Sequence, residues 1–126
     1  MQFNTKSIHI GQKPDPSTGA VIPPIYMTST YAQSAPGEHL GYDYTRAGNP
    51  NFTNLEETLA ALEGAQYATV FSSGLGAFTA LISTLSPNDV VLSTNDLYGG
   101  TYRLFTKVFH NYGIGFQTAN TQDLTS

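Results

Sequence analysis

Prolines are distributed unevenly along the chain, and their distribution divides it into two parts. Six of the seven prolines fall within the first 52 of the 126 residues. Pro14 to Gly19 is a turn-rich cluster, and Pro23-Pro24 excludes a regular helix, because proline lacks the backbone donor and restricts its predecessor. The sequence of residues 1–52 therefore predicts an extended arm. Such an arm needs to pack on a surface of its own subunit or of a neighbouring subunit.

From residue 53 onward, helix signals become clear. Thr53-Asn54-Leu55-Glu56 is a capping-box pattern and predicts a helix start, with Gly64 at the helix end. The predicted inner face of this helix consists of three leucines: Leu55, Leu59 and Leu62. A second, almost wholly apolar helix is predicted over 75–85, and a third has five inward side chains, Leu104, Phe105, Val108, Phe109 and Tyr112, and ends at Gly113.

Three short apolar segments alternate with these helices and predict strands, the first of them buried: Tyr67–Phe71, Val90–Leu92 and Ile114–Thr118. The resulting β-α-β-α-β order predicts an α/β fold with a parallel sheet. An open sheet of three parallel strands has two bare edges, so further protein is expected to cover it. We therefore expect the chain to be the N-terminal part of a longer protein.

The chain is poor in charge. Charged residues make up 11% of it, against about 25% in an average soluble domain. Such a surface is expected where more protein covers it, although a merely charge-poor domain is an alternative. The net charge of −4 and only five Lys and Arg residues argue against a nucleic-acid or anionic-membrane partner.

Cysteine is absent, which excludes disulfides, thiolate metal sites and a cysteine nucleophile. His9, His39 and His110 are too scattered in the sequence to predict a metal site. The N-terminus lacks the apolar run of a signal peptide, and the apolar stretch at 75–85 is too short to span a bilayer. These features predict a soluble, cytoplasmic protein.

Ser72-Ser73-Gly74-Leu75-Gly76 lies between a predicted strand and a predicted helix, where free backbone amides and the positive end of the helix dipole converge. Phosphate is the natural ligand, since the glycines allow close approach and the Ser73 hydroxyl can donate. The alternative is a plain serine N-cap with glycines placed for packing. The spacing matches neither a Walker motif nor a dinucleotide fingerprint.

Arg46, one of only two arginines, follows Tyr44 by two residues, and in an extended segment both side chains point to one face. A guanidinium fork with a phenol donor suits a phosphate. A surface arginine paired with Asp43 or Glu38 is the alternative. Tyr98 follows a predicted strand and precedes Gly99-Gly100, so it could stack on a planar cofactor ring, or be only a partly buried loop aromatic.

Three motifs occur in order: Tyr44-Thr45-Arg46 with Asn49-Pro50, Ser72-Ser73-Gly74, and Tyr98-Gly99-Gly100-Thr101. With Thr18 to Tyr26 and Thr28 to Tyr31, they resemble the pyridoxal-phosphate enzymes of cysteine and methionine metabolism, the cystathionine γ-synthase and γ-lyase family. The resemblance implies the PLP-dependent transferase fold type I. Residues 1–52 would form an N-terminal arm at the subunit interface and near the neighbouring active site. Residues 53–126 would begin the large PLP-binding α/β domain, which is incomplete here.

The resemblance also implies roles for individual residues. Ser73 and the amides of Gly74 and Leu75 would hold the pyridoxal 5′-phosphate, and Tyr98 would stack on its ring and assist proton transfers. Tyr44 and Arg46 would reach the phosphate of a neighbouring subunit, which implies sites shared across dimers within a homotetramer. Asp43 would approach the amino-acid substrate.

Other family residues have no counterpart in this sequence. The Schiff-base lysine, the carboxylate facing the pyridine nitrogen and the substrate-binding arginine are expected beyond Ser126, and none of Lys6, Lys13 and Lys107 matches the lysine. Thr45 and Asn51 stand where the family often has Ser and Thr, and Leu75-Gly76 replaces the commoner Met-Ala.

The implied function is γ-replacement or γ-elimination on activated homoserine or cystathionine. Gly100 favours γ-synthases and γ-lyases over methionine γ-lyases, which usually have Cys there. The alternatives are a cystathionine β-lyase, an O-acyl-homoserine sulfhydrylase, another fold type I enzyme such as an aminotransferase, or a non-catalytic binding or assembly fragment.

Overall fold

The computed structural model describes residues 1–123, and residues 124–126 at the end of the predicted α/β domain lie outside the described residues. Internal contacts divide the chain into two units, Met1–Val70 and Phe71–Ser126. The boundary predicted at residues 52 and 53 concerns the roles of the segments, and it stays a prediction. The predicted α/β class with a parallel sheet is confirmed.

The first unit contains two helices and a small hairpin. Helix α1 spans Phe3–His9, strands β1 (Gln33–Ala35) and β2 (Glu38–His39) pair antiparallel, and helix α2 spans Pro50–Glu63. The chain between α1 and β1 is irregular, as its prolines predict.

The turn predicted between Pro14 and Gly19 forms around one carboxylate. Asp15 Oδ1 accepts hydrogen bonds from the amides and hydroxyls of both Ser17 and Thr18, at 2.5–3.0 Å. The Ser17 hydroxyl, followed by the hydroxyl and amide of Thr18, lowers the pKa of Asp15 to about 2. The carboxylate is therefore charged at neutral pH and organises the turn.

The arm is not extended throughout, because α1 forms within it and its end is anchored on α2. Lys6 Nζ donates to the Ala61 carbonyl at 3.0 Å, and the Thr58 hydroxyl donates to the Ile10 carbonyl at 2.7 Å. These bonds join residues about fifty positions apart, so no local pattern in the sequence predicts them.

Gly11 allows the end of α1 to approach α2. It is buried with φ +73°, and an added Cβ would lie 2.1 Å from the Asn54 carbonyl oxygen. Gly19 has the same φ, +73°, but open space around its Cα. Alanine substitutions at the two positions therefore distinguish the cost of a left-handed backbone from the cost of a steric clash.

Gly11→Ala is expected to lower the free energy of unfolding by about 2–5 kcal/mol, since it combines backbone strain with overpacking. Gly19→Ala, with strain alone, is expected to cost about 1–2 kcal/mol. Denaturant unfolding of the two variants measures both. Equal losses would contradict the close packing of Gly11 on α2.

Helix α2 begins three residues before the predicted start. Asn49 is the N-cap, its side chain accepts from the Asn51 amide at 2.9 Å, and Pro50 occupies the first helical turn. Asn followed by Pro is a strong start signal, and it overrides the capping box predicted at Thr53. Glu56 does not close that box, because its carboxylate accepts from the Val70 amide at 2.9 Å. The helix ends as predicted, at Gly64 with φ +68°.

The predicted leucine face of α2 is not buried in this structure. Leu55 and Leu59 are exposed, Leu62 is partly buried, and Ala60 is the buried residue of the helix. Within residues 1–123, Leu55 remains 49% exposed and Leu59 38% exposed.

The second unit contains the parallel sheet. Helix α3 spans Gly74–Ile82, strand β3 spans Val90–Thr94, helix α4 spans Gly99–Arg103, and strand β4 spans Gly115–Ala119. Strands β3 and β4 pair in parallel from Val90 with Gly115 to Thr94 with Ala119. These strands match two of the three predictions to within two residues, and α3 ends three residues earlier than predicted.

The predicted strand Tyr67–Phe71 does not form. No described residue pairs with it as a strand, and Tyr67 is 80% exposed. A strand requires a hydrogen-bonding neighbour, and the amide of Val70 is instead taken by Glu56.

The core of the second unit consists of Ile82, Phe105, Phe109 and Ile114, with Val91, Leu97, Leu104 and Phe116 partly buried against it. Phe105 contacts Phe116 with ring centroids 4.9 Å apart. The prediction that Val108 and Tyr112 face inward is wrong, since both are exposed. The chain after α4 widens into a π-helix over Leu104–Val108 and tightens into a 3₁₀ turn over Phe109–Tyr112, which ends the regular helical periodicity.

Across residues 1–123, the helices are too short or too polar to cross a lipid bilayer.

Candidate functional site

The N-terminus of α3 presents two backbone amides without acceptors. Ser73 is the N-cap, and its hydroxyl oxygen accepts from the Gly76 amide at 3.0 Å. The amides of Gly74 and Leu75 precede the first intrahelical bond, which runs from Ala77 to the Ser73 carbonyl, and no acceptor for them exists in the described part of the chain. Both amides lie at the positive end of the helix dipole.

Ser73 does cap the helix, as the alternative interpretation predicts. This capping role is compatible with anion binding. The Ser73 oxygen uses its lone pair for Gly76, so its proton remains available to a ligand. Beyond its chain neighbours and the backbone of its own helix, no atom lies within 4 Å of a Cβ built on Gly74, so the backbone there is open to approach.

Tyr98 lies beside this helix start. A groove of about 430 Å³ is lined by Ser73, Gly74, Leu75, Phe78, Tyr98 and Thr101. The fold thus brings four residues predicted from separate motifs, 73–75 and 98, to one groove. Tyr98 is 74% exposed, so its ring face and hydroxyl are both accessible.

The absence of a side chain at Gly100 leaves space for the Tyr98 ring. A Cβ on Gly100 would lie 2.5 Å from Tyr98 Cε1 and 3.3 Å from Leu75 Cδ1. The ring therefore rests on the start of α4, where any larger residue would displace it.

Tyr44 and Arg46 are brought together, although not by an extended segment. The Tyr44 carbonyl accepts from the amides of Ala47 and Gly48, so Arg46 lies in a turn. An Arg46 guanidinium nitrogen donates to the Tyr44 hydroxyl at 3.1 Å, and Cζ lies 5.1 Å from the Tyr44 ring centroid. The prediction that this segment is extended is wrong. The predicted proximity of the Tyr44 and Arg46 side chains is present.

Arg46 keeps donors available for a ligand. Within residues 1–123 it forms no ion pair, so the predicted alternative of a partner in Asp43 or Glu38 is not found. Asp43 is exposed, and its Oδ1 accepts from the Tyr44 amide at 2.7 Å. Its other carboxylate oxygen is open to a substrate, and the role predicted for it stays a prediction.

The turn that carries Tyr44 and Arg46 is held on two sides. Thr30 bridges Tyr44, the Tyr31 amide donates to Asp43, and the Thr45 amide donates to Ser29. On the other side, Asn49 donates to the Thr45 hydroxyl at 3.1 Å.

Comparisons with known proteins identify the family of the chain. The family model described as Cys/Met metabolism PLP-dependent enzyme matches residues 4–126. The chain belongs to this family.

Its relatives carry several related names. The chain is 52% identical over 121 residues to a probable cystathionine γ-synthase of Herpetosiphon aurantiacus, covering 96% of this chain and 38% of that protein. It is 50% identical over 122 residues to the cystathionine β-lyase of Coxiella burnetii, covering 96% and 32%. The crystal structure of cystathionine γ-lyase from Lactobacillus plantarum complexed with L-serine superposes with a TM-score of 0.91 at 39% identity, covering 99% and 32%. The chain thus spans about a third of the length of these relatives.

The residues of the groove fit the cofactor of the Cys/Met metabolism family. Pyridoxal phosphate has an anionic phosphate monoester, which matches the two unpaired amides and the positive helix end at Gly74 and Leu75. It also has a planar ring, which matches the exposed face of Tyr98.

Sequence reasoning missed Phe78, and it assigned no role to Asn49 and Thr101 although both belong to the motifs. Asn49 is 2% exposed and organises the Tyr44–Arg46 turn, and the signal that points to it is the Asn-Pro pair at the start of a helix. Phe78 lies one turn of α3 beyond Gly74, so helical spacing from the Ser73 cap could have placed it in the groove. Thr101 belongs to the Tyr98–Thr101 motif, but nothing in that motif marks it as a groove residue.

Proposed function

We propose that the complete protein is a pyridoxal-phosphate-dependent enzyme of sulfur amino-acid metabolism that catalyses γ-replacement or γ-elimination on activated homoserine or cystathionine. The observation that carries the proposal is the groove in which the Gly74 and Leu75 amides meet Tyr98. Family membership and the relatives named cystathionine γ-synthase and γ-lyase support it.

Each residue of this chain has a proposed part. The amides of Gly74 and Leu75 and the Ser73 hydroxyl donate to the cofactor phosphate, where the helix dipole also favours a dianion. Tyr98 supports the cofactor ring with its face, and its hydroxyl holds or moves a proton at the substrate. When bound, the cofactor supplies the electron sink for a substrate carbanion.

Arg46 and Tyr44 complete the phosphate site of a neighbouring subunit, with Arg46 as a forked cationic donor. Under this part of the proposal, each active site is complete only when two subunits associate, in a homotetramer built as a dimer of dimers. The exposed apolar side chains of the arm support it: Val21, Ile22, Ile25 and Met27 are each more than 70% exposed. We also propose a cytoplasmic location.

The Schiff-base lysine is proposed to lie in the part of the protein that follows this chain. No lysine lines the groove. Without that lysine, residues 1–126 bind the phosphate but do not catalyse.

Product analysis tests the reaction class. The complete protein with pyridoxal phosphate is expected to convert cysteine and an O-acyl-homoserine to cystathionine, or to cleave cystathionine to cysteine, 2-oxobutanoate and ammonia. β-Elimination, which the 50% identical β-lyase favours as the second candidate, would instead yield homocysteine, pyruvate and ammonia. Absence of turnover with all of these substrates would contradict a cystathionine-forming or cystathionine-cleaving activity.

A further inference from the structure

We infer that Asn49 is a positioning residue for the phosphate-binding pair Tyr44 and Arg46, acting through Thr45, and that it thereby sets affinity for the phosphate monoester of the cofactor. The inference rests on the proposed function of Arg46. It concerns a residue to which neither the sequence motifs nor the groove assigns a role in binding.

The side chain of Asn49 is fully used inside the protein. It is 2% exposed, its Oδ1 accepts from the Asn51 amide at 2.9 Å, and its Nδ2 donates to the Thr45 hydroxyl at 3.1 Å and to the Tyr26 carbonyl at 3.3 Å. The Asn51 amide needs an acceptor, which fixes the orientation of the Asn49 carboxamide. One side chain therefore caps α2 with its oxygen and holds two loops with its nitrogen.

The bond to Thr45 reaches the residue between Tyr44 and Arg46. The Thr45 hydroxyl accepts from Asn49 and donates to the Thr28 carbonyl, so a continuous chain of hydrogen bonds crosses the turn. The turn that presents Arg46 is thereby tied to the rigid start of α2. Connected hydrogen bonds of this kind fix geometry as well as stabilise.

Asn51 provides a matched control. Its side chain accepts from the Tyr26 amide at 3.1 Å and donates to the Tyr26 carbonyl at 3.0 Å, but forms no hydrogen bond with Thr45. Substitution of Asn51 therefore loosens the Tyr26 segment without releasing the turn.

Asn49→Asp separates the two roles, because aspartate caps a helix as well as asparagine does but has no Nδ2 donor. The variant is made in the complete protein, and its affinities for pyridoxal phosphate and for pyridoxal, which lacks the phosphate, are measured. We expect affinity for pyridoxal phosphate to fall about fivefold to tenfold, the cost of losing the hydrogen bond from Asn49 to Thr45. Affinity for pyridoxal is expected to stay within about twofold, since the turn acts on the phosphate alone. A merely structural loss would lower both affinities.

Thr45→Val, which removes the hydroxyl from the chain of bonds, is expected to reproduce the Asn49→Asp result, and Thr45→Ser to retain wild-type affinity. Asn51→Ala is expected to leave the ratio of the two affinities unchanged. In an Arg46→Ala background, Asn49→Asp is expected to have no further effect.

Three outcomes would contradict these expectations, and each excludes a different part of the proposal. If Arg46→Ala weakens binding of pyridoxal phosphate but Asn49→Asp and Thr45→Val do not, the inference is wrong and the proposed function stands. If Asn49→Asp lowers affinity equally with and without Arg46, its effect does not pass through Arg46 and the inference is overturned. If Arg46→Ala has no effect, the intersubunit phosphate contact and this inference are both wrong.

Discussion

Arg46→Ala in the complete protein is expected to lower affinity for pyridoxal phosphate by about 10- to 150-fold, the range for loss of a charge-assisted hydrogen bond. Arg46 is exposed, is unpaired with any acid in residues 1–123, and already donates to Tyr44, which leaves most of its guanidinium donors available. Affinity for pyridoxal is expected to be unchanged, because pyridoxal lacks the phosphate. Equilibrium dialysis of the cofactor-free protein with each ligand measures both values.

Two further variants test whether the loss of affinity is specific to the guanidinium of Arg46. Arg103→Ala removes the other arginine of residues 1–126, an exposed residue at the end of α4, and is expected to leave both affinities unchanged. Arg46→Lys keeps the charge but loses the planar fork, so an intermediate affinity is expected. Wild-type retention of pyridoxal phosphate by Arg46→Ala would remove Arg46 from the phosphate site.

Tyr98→Phe is expected to lower turnover by about 100- to 10,000-fold, the usual contribution of a positioned proton donor or acceptor. The ring that supports the cofactor is retained, so affinity for pyridoxal phosphate is expected to change little. The measurement is steady-state turnover of cystathionine, or of an O-acyl-homoserine with cysteine, beside a binding titration. Tyr98→Ala is expected to lose affinity as well, since it also removes the ring.

Tyr102→Phe is the matched control for Tyr98→Phe. Tyr102 lies in α4, the helix that Tyr98 precedes as N-cap. Its ring packs edge-on against Phe116 with centroids 6.0 Å apart, and it does not line the groove. Its variant is expected to turn over at the wild-type rate. Unaltered turnover by Tyr98→Phe would exclude its hydroxyl from proton transfer and leave it only a stacking role.

Features governed by neighbouring residues were predictable from the sequence. The Ser73 cap, the Gly64 helix end and the Asp15 turn each arise from chemistry within three or four residues. Strands β3 and β4 were predictable because both are short apolar segments that bound one helical crossover. The groove followed from these elements, since Ser73 and Tyr98 each precede a helix of the same unit.

Features that depend on distant partners were not predictable. Helix α1 ends on contacts with Thr58 and Ala61, and the Tyr67–Phe71 segment remains without a strand partner although its composition favours one. The start of α2 was predicted at the wrong residue, because two start signals compete there and Asn49 is also held by Thr45 and Tyr26. Burial of the leucine face was predicted from periodicity, which says that a face is apolar but not which protein covers it.

The most direct test of the account is a crystal structure of the complete protein with pyridoxal phosphate bound. The account predicts that the phosphate accepts from the Gly74 and Leu75 amides of one subunit and from the Arg46 guanidinium of another, each at about 3 Å. A phosphate bound elsewhere, or an Arg46 side chain that lies in bulk solvent away from every phosphate, would contradict it.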